Sequence, residues 1–456
     1  MLKRIIMLTV IFSILAAGCN LPANMRWTTS PVNPQAPAPA ATESLPQKAA
    51  PQPEPPVPSQ APAATATTMP SATPTLPPTS TRTTAPTATQ AATATATKPP
   101  EPVVLGPNQF PANINPLTGL PVKKPENLHL APALVSITQF PATSRPQAGL
   151  ASAPITFELY IGEGMSRALA LFYGDYPSQV NKQDPGKSGV SSEPVIGPIR
   201  SGRLAYENLR ALFNGTLVMA SAASQVSSNL SSYTNIFGSD GSDVNSAMIK
   251  VNQLETIAAK SGPKIDPTTL TGNLFDPKAP AGGVIANKVW LPFSYLNQIF
   301  WVYDPSTGSY LRYQDDADGV TFIKATDRLT GETLTYENVV FLFVTHKVQT
   351  KTIYDLDLMY ITKMPAILMR DGKMYDIFWT TKSEEFEQKT GLVRPIRYID
   401  AAGNPFPLKP GQTWVVILQP FTTFEEVIDS KVYFDLITKP QPGSGVWAVR
   451  FIPPIP

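Results

Sequence analysis

Two arginines, Arg200 and Arg203, stand three positions apart in the stretch EPVIGPIRSGRLAYENLRALFNG, residues 193–215. The stretch opens as a loop stiffened by proline and glycine. It continues into a segment where Leu204, Ala205, Leu209, Leu212 and Phe213 recur at helical spacing. Ser201 is the expected N-cap and Asn214-Gly215 the expected stop. Both guanidiniums then sit at a helix start, where the partial positive charge of the helix end disfavours them. An anion, a ligand carboxylate or a nearby glutamate at that end removes the conflict. The bland alternative is an internal Arg–Glu pair that pins the loop.

Other chemistries are poorly supplied. The chain has one cysteine, Cys19, and two histidines, His129 and His346. Beyond Cys19 there is no thiol for a disulfide, a nucleophile or a metal site, and a histidine metal cluster or a Ser-His-Asp arrangement has little to work with. Any catalysis rests on carboxylates, Arg, Lys, Tyr or hydroxyls; Glu158 with Glu163 or Glu193 is a carboxylate pair to consider, though no spacing rule supports it. Asp184-Pro-Gly-Lys-Ser188 carries the end of a phosphate loop but has Asn181 where the first glycine belongs, so it reads as an ordinary loop. Gln314–Gly319 resembles a calcium loop with Gln at its first position and Ala325 at the bidentate Glu position; a solvated acidic turn is the better reading. The aromatics Trp290, Phe293, Tyr295, Phe300, Trp301, Tyr303, Tyr310 and Tyr313 suit core or interdomain packing better than a sugar platform. No catalytic residue, metal ligand or cofactor is assigned. A formal charge of +2 without a basic, aromatic-interleaved cluster excludes an electrostatic nucleic-acid binder.

These residues need a scaffold and an address. Met1-Leu2-Lys3-Arg4, an apolar run to Ala17 and Gly18-Cys19 describe an export signal over 1–19, and Leu15–Cys19 resembles a lipobox with its leucine one place early. Cys19 is thus the expected lipidation site, anchoring the chain to a membrane on its extracytoplasmic side. Residues 20–104 read as a disordered Pro/Ala/Thr-rich stalk; 18 of the 50 prolines lie within 31–100, among only five charged residues. From 105 to 288 short strands at 132–138, 155–161, 167–173 and 216–220 accompany the helix above and a second helix at 248–259. That is an α/β (α+β) domain with a mixed sheet; no helix intervenes over 132–173, so one strand pair there is antiparallel. In 155–161 the apolar residues alternate with Thr156, Glu158 and Tyr160, giving a half-buried strand with a polar face. From 289 to 420 closely spaced strands predict a smaller, mostly-β domain, and 421–456 is a C-terminal extension with one strand-like run at 432–437.

Several blocks occur in a telling order: Asn115-Pro-Leu-Thr-Gly-Leu-Pro121, Arg145-Pro-Gln-Ala-Gly-Leu150, Glu158 with Gly164-Met-Ser-Arg167, Glu193–Arg203, Asp327-Arg-Leu-Thr-Gly331 and Leu408–Trp414. Together they resemble the YerB-like bacterial lipoproteins, a family of unknown function with an N-terminal and a C-terminal part, over about 113–260 and 310–420. The resemblance implies an exported, membrane-anchored protein and no assigned activity. This chain departs from the family pattern at Gly162-Glu163-Gly164, Gln139-Phe140 and Ala325. Arg145, Glu158, Arg167, Arg200 and Arg203 fit it, and these five are expected to line one shared cleft. The leading expectation is a non-catalytic envelope protein binding an anionic ligand, a cell-wall fragment or a protein partner. The alternatives are a carboxylate enzyme acting on cell-wall glycan or peptide, and a scaffold for an envelope complex.

Overall fold

The computed structural model describes residues 103–177, 194–262, 264–429, 436–437 and 440–454. The export signal, Cys19, nearly all of the stalk, the 184–188 loop, Glu193 and most of the 432–437 run lie outside them.

Short, largely apolar strands, most of them buried on both faces, build one large sheet, and both halves of the chain contribute to it. In chain order its main strands are β1 (Ala133–Thr138), β2 (Ile155–Gly162), β3 (Met165–Phe172), β4 (Thr216–Met219) and β5 (Tyr233–Asn235). A second sheet takes β7 (Lys288–Ser294), β8 (Asn297–Asp304), β9 (Ser309–Asp315) and β10 (Phe322–Lys324), while β6 (Val284–Ile285) returns to the first. The large sheet is completed by β11 (Asn338–Phe343), β12 (Met364–Arg370), β13 (Lys373–Thr380) and β14 (Thr413–Leu418). The last strands, β15 (Thr423–Glu426) and β16 (Val446–Arg450), extend the second sheet, β16 running parallel to β7.

The order across the 11-stranded sheet is β6-β13-β12-β11-β14-β2-β3-β1-β4-β5, with Arg397–Ile399 added beside β13. Its pairings are mixed: β2–β3 and β3–β1 are antiparallel, β1–β4 and β4–β5 parallel. The halves meet where β14 lies parallel to β2, Thr413 facing Ile155 and Ile417 facing Leu159. The antiparallel pair expected within 132–173 is therefore present, and the sheet is continuous across the 288/289 boundary.

The two faces bury different partners. Val135, Ala168, Phe341, Trp414 and Val416 form one core with Val289, Leu291 and Trp301 of the second sheet. Leu134, Phe157, Leu159, Leu169 and Ile417 form the other with Tyr206, Leu209 and Phe213. The polar face expected on β2 is accordingly not solvated: Thr156 and Glu158 are as buried as Phe157, because the second sheet closes over them. Trp301, Phe300 and Tyr310 are fully buried, so much of the aromatic cluster is core, while Tyr295 is exposed. Among the described residues no helix is long and apolar enough to cross a membrane.

The helix of the arginine stretch, α1, spans Tyr206–Leu212, several residues later than expected, and Ser201 does not cap it. The delay has a tertiary cause. The Arg200 amide donates to the Ser136 carbonyl (2.8 Å), the Gly202 amide to that of Ser221 (2.8 Å), and the Arg200 carbonyl accepts from Ala220 (3.0 Å). The segment is thus an extended strap across the ends of β1 and β4, and helical hydrogen bonds cannot form there. The stop is as expected: Asn214 takes a left-handed φ of 49°.

Candidate functional site

The five candidate residues fall into two groups on opposite faces of the sheet. Glu158, in β2, faces the second sheet and is completely buried. Its carboxylate accepts from Ser166 Oγ (2.8 Å), from Trp414 Nε1 (3.0 Å) and, through both oxygens, from Arg312 Nη2 (3.2 Å each). Arg312 is 1 % exposed, in β9, with its guanidinium 4.6 Å from the Trp414 ring centroid and 5.8 Å from that of Trp301. An internal Arg–Glu pair therefore exists, but Arg312 is its cation rather than Arg200 or Arg203. With both oxygens engaged, Glu158 is a fastener between the halves of the chain and has no free edge for proton transfer.

Arg145 lies on the same side. Its Nε donates to the Gln139 carbonyl (3.1 Å), and its Nη1 donates to the Asp315 carbonyl and stands 3.8 Å from the Asp315 carboxylate. Burial lowers its pKa, a loss that Asp315 partly offsets. Asp315 is fully buried and accepts the amides of Gln298 (2.9 Å) and Ala317 (3.1 Å). Gln139 Oε1 receives Gln147 Nε2 (3.0 Å) and Gln314 Nε2 (2.8 Å), tying the same joint together.

Arg167, Arg200 and Arg203 gather on the other face, where the carboxyl ends of the parallel strands β1 and β4 meet the strap. Arg167 is 5 % exposed, and its Nη1 donates to the Ser201 carbonyl (2.9 Å). Arg200 Nη1 reaches the Val244 carbonyl (3.0 Å) and Arg203 Nη1 the Gly202 carbonyl (3.2 Å). Buried Tyr206 stands beside them, its hydroxyl 3.3 Å from Ser136 Oγ. Among the described residues none of the three arginines makes a salt bridge. Arg167 Nε and Arg203 Nε are buried and without a hydrogen-bond partner. The Arg167 pKa is drawn down to about 10, chiefly by burial; Tyr206 pulls it up, and the charges of Arg203 and Arg200 push it down. Burial lowers Arg200 as well, with Arg203 adding to the effect. Three close guanidiniums share only carbonyl and hydroxyl partners, which leaves local positive charge at the strap.

Sequence reasoning missed Arg312, and the motif survey had no means to find it. The one hint is inverted polarity in β9: Leu311 and Tyr313 point away from the main core while Arg312 and Gln314 point into it. Glu163 sits in the β2–β3 turn at a φ of 53°, away from Glu158's ion pair. Among the described residues no three His, Cys, Asp or Glu side chains converge as a metal site.

A mixed sheet backed on one face by a second sheet and on the other by short helices defines an α/β (α+β) protein with a mostly-β C-terminal part. The chain belongs to the family of proteins of unknown function DUF3048: residues 117–258 match its N-terminal domain and residues 289–415 its C-terminal domain. It is similar to YerB of Bacillus subtilis (strain 168), which is named as a candidate lipoprotein, with 24% identity over 319 residues, 66% of this chain and 85% of that protein. The crystal structure of the Bacillus subtilis YerB protein has the same fold, with a TM-score of 0.50 and 22% identity, covering 67% of this chain and 96% of that one.

Proposed function

We propose that this protein is a non-catalytic lipoprotein of the cell envelope that binds an anionic ligand through Arg167, Arg200 and Arg203. The observation that carries the reading is the absence, among the described residues, of any carboxylate partner for these three cations. One buried and two half-buried guanidiniums gathered without a counter-ion are a costly arrangement, and perturbed charged clusters of this kind favour binding sites. The place also suits a ligand, since crevices at the carboxyl ends of parallel strands recur as binding positions. The envelope assignment rests on the lipobox-like Leu15–Cys19 and on the name of the Bacillus relative.

The test is a thermal-shift titration with inorganic phosphate, anionic sugars and peptidoglycan fragments on the protein and on an Arg200→Ala/Arg203→Ala variant. Saturable stabilisation that disappears in a folded variant supports the site. Equal stabilisation in both proteins, or none in either, removes it. Separately, mass spectrometry of membrane-extracted protein should find a lipid on Cys19, lost in Cys19→Ser.

A further inference from the structure

The strands His346–Thr350 and Ile353–Leu356 form a hairpin that pairs only with itself and joins neither large sheet. Within 346–356 only Tyr354 and Leu356 are buried. The hairpin nevertheless lies against the N-terminal half of the chain. Asn208 of α1 donates its Nδ2 to the Asp355 carboxylate (3.1 Å) and to the Leu356 carbonyl (2.8 Å). At Gly162, the last residue of β2, a Cβ would stand 2.5 Å from the Lys351 carbonyl oxygen, so the hairpin tip abuts the β2–β3 turn. Leu356 belongs to the same apolar layer as Tyr206 and Leu209. The Tyr354 hydroxyl neighbours the arginine cluster: burial raises its pKa, Tyr206 adds to the rise, and the charges of Arg203 and Arg167 pull it back.

As it stands the inner part of that cluster is closed. Arg167, Tyr206 and Tyr354 are all buried, so an anion reaches Arg167 only after one of the surrounding elements moves. Two of those elements are firmly held. The strap is tied by backbone hydrogen bonds to Ser136, Ala220 and Ser221, and α1 buries Tyr206, Leu209 and Leu212 completely. The hairpin is held by two side-chain hydrogen bonds from one residue and by two buried side chains, while its base is anchored by fully buried Val344 and Leu358. Local opening draws on the elements with the fewest buried contacts. We infer that this hairpin is a gate over the Arg167–Arg203 site, anchored at its base, latched by Asn208, and opened by lifting Tyr354 away from the arginines. The gate rests on the anion-binding reading of that cluster and supplies its route of entry. It also makes the C-terminal half the controller of a site whose cations all come from the N-terminal half.

Phenylglyoxal modification of arginines in the full chain, mapped by peptide mass spectrometry, tests the gate. Asn208→Ala removes both latch hydrogen bonds and should speed modification of Arg167 by about tenfold. Arg312, buried between the two sheets, should stay unmodified in both proteins. Arg167 modified at the same rate in both, or Arg312 accelerated along with it, overturns the gate. Hydrogen exchange on the unaltered protein gives a second reading that needs no variant. Amides of 346–356 should exchange at least about a hundredfold faster than those of β1 and β3. Exchange of the hairpin only together with those strands overturns the gate as well. Neither measurement uses an anion, so failure of the gate is distinguishable from failure of the arginine site to bind phosphate.

Discussion

Glu158 and Arg167 leave neighbouring strands from opposite faces of one sheet. Arg167 is paired with Leu159, and Glu158 with Ala168, so a single step of register sends the carboxylate into the inter-sheet core and the guanidinium toward α1. The anion of the first thus cannot neutralise the cation of the second. That separation leaves the Arg167 cluster positive.

Glu158→Gln should cost about 3–5 kcal/mol in urea-induced unfolding, because it strands Arg312 in a dry core. Replacing both by leucine should recover a large part of that loss. A single-variant loss below about 1 kcal/mol would falsify the fastener role.

Arg203→Gln should leave stability unchanged or raise it by about 0.5 kcal/mol at low salt, since it relieves repulsion within the cluster. Added salt should shrink the difference between the two proteins. A marked destabilisation would mean that Arg203 has a structural partner.

Gly215→Ala should lower stability by about 1–3 kcal/mol. A Cβ there would stand 2.7 Å from the Pro132 carbonyl oxygen, a backbone atom held in place by the β1–β4 pairing. Gly241→Ala, where a Cβ meets nothing within 4 Å, is the near-neutral control in the same thermal melts.

His346 packs at a tilt against Tyr354, ring centroids 5.2 Å apart, and burial pushes its pKa down to about 4, from an ordinary 6.5. Above about pH 6.5 the ring is neutral whether folded or unfolded. As pH falls toward 4 the unfolded chain takes up a proton that the folded chain refuses, so stability drops across that window, by about 3 kcal/mol at most. His346→Phe should flatten this part of the stability–pH curve. An unchanged slope would assign it to other groups.

Much of the scaffold was legible because alternation and turn residues are local signals. The strands at 133–138, 155–162, 165–172 and 216–219 stand close to where their patterns put them. What stayed hidden was set by distant partners. The start of α1 is delayed by hydrogen bonds from the strap to Ser136 and Ser221. The polar side of β2 is buried because β9 turns Arg312 inward to meet Glu158, against its own hydrophobic pattern. The five candidate residues were expected to line one cleft; their division between two faces depends on strand register, which a single sequence does not print.

The place of β14 also dictates an order of events. Trp414 closes over a carboxylate 256 positions upstream, from a strand wedged between β2 and β11. A growing chain therefore carries two unpaired sheet edges until its closing segments emerge, and a chain cut before Thr413 keeps both open for good. Such late, long-range closure slows folding and invites edge-to-edge association, so the newly made protein is the stage most in need of shielding.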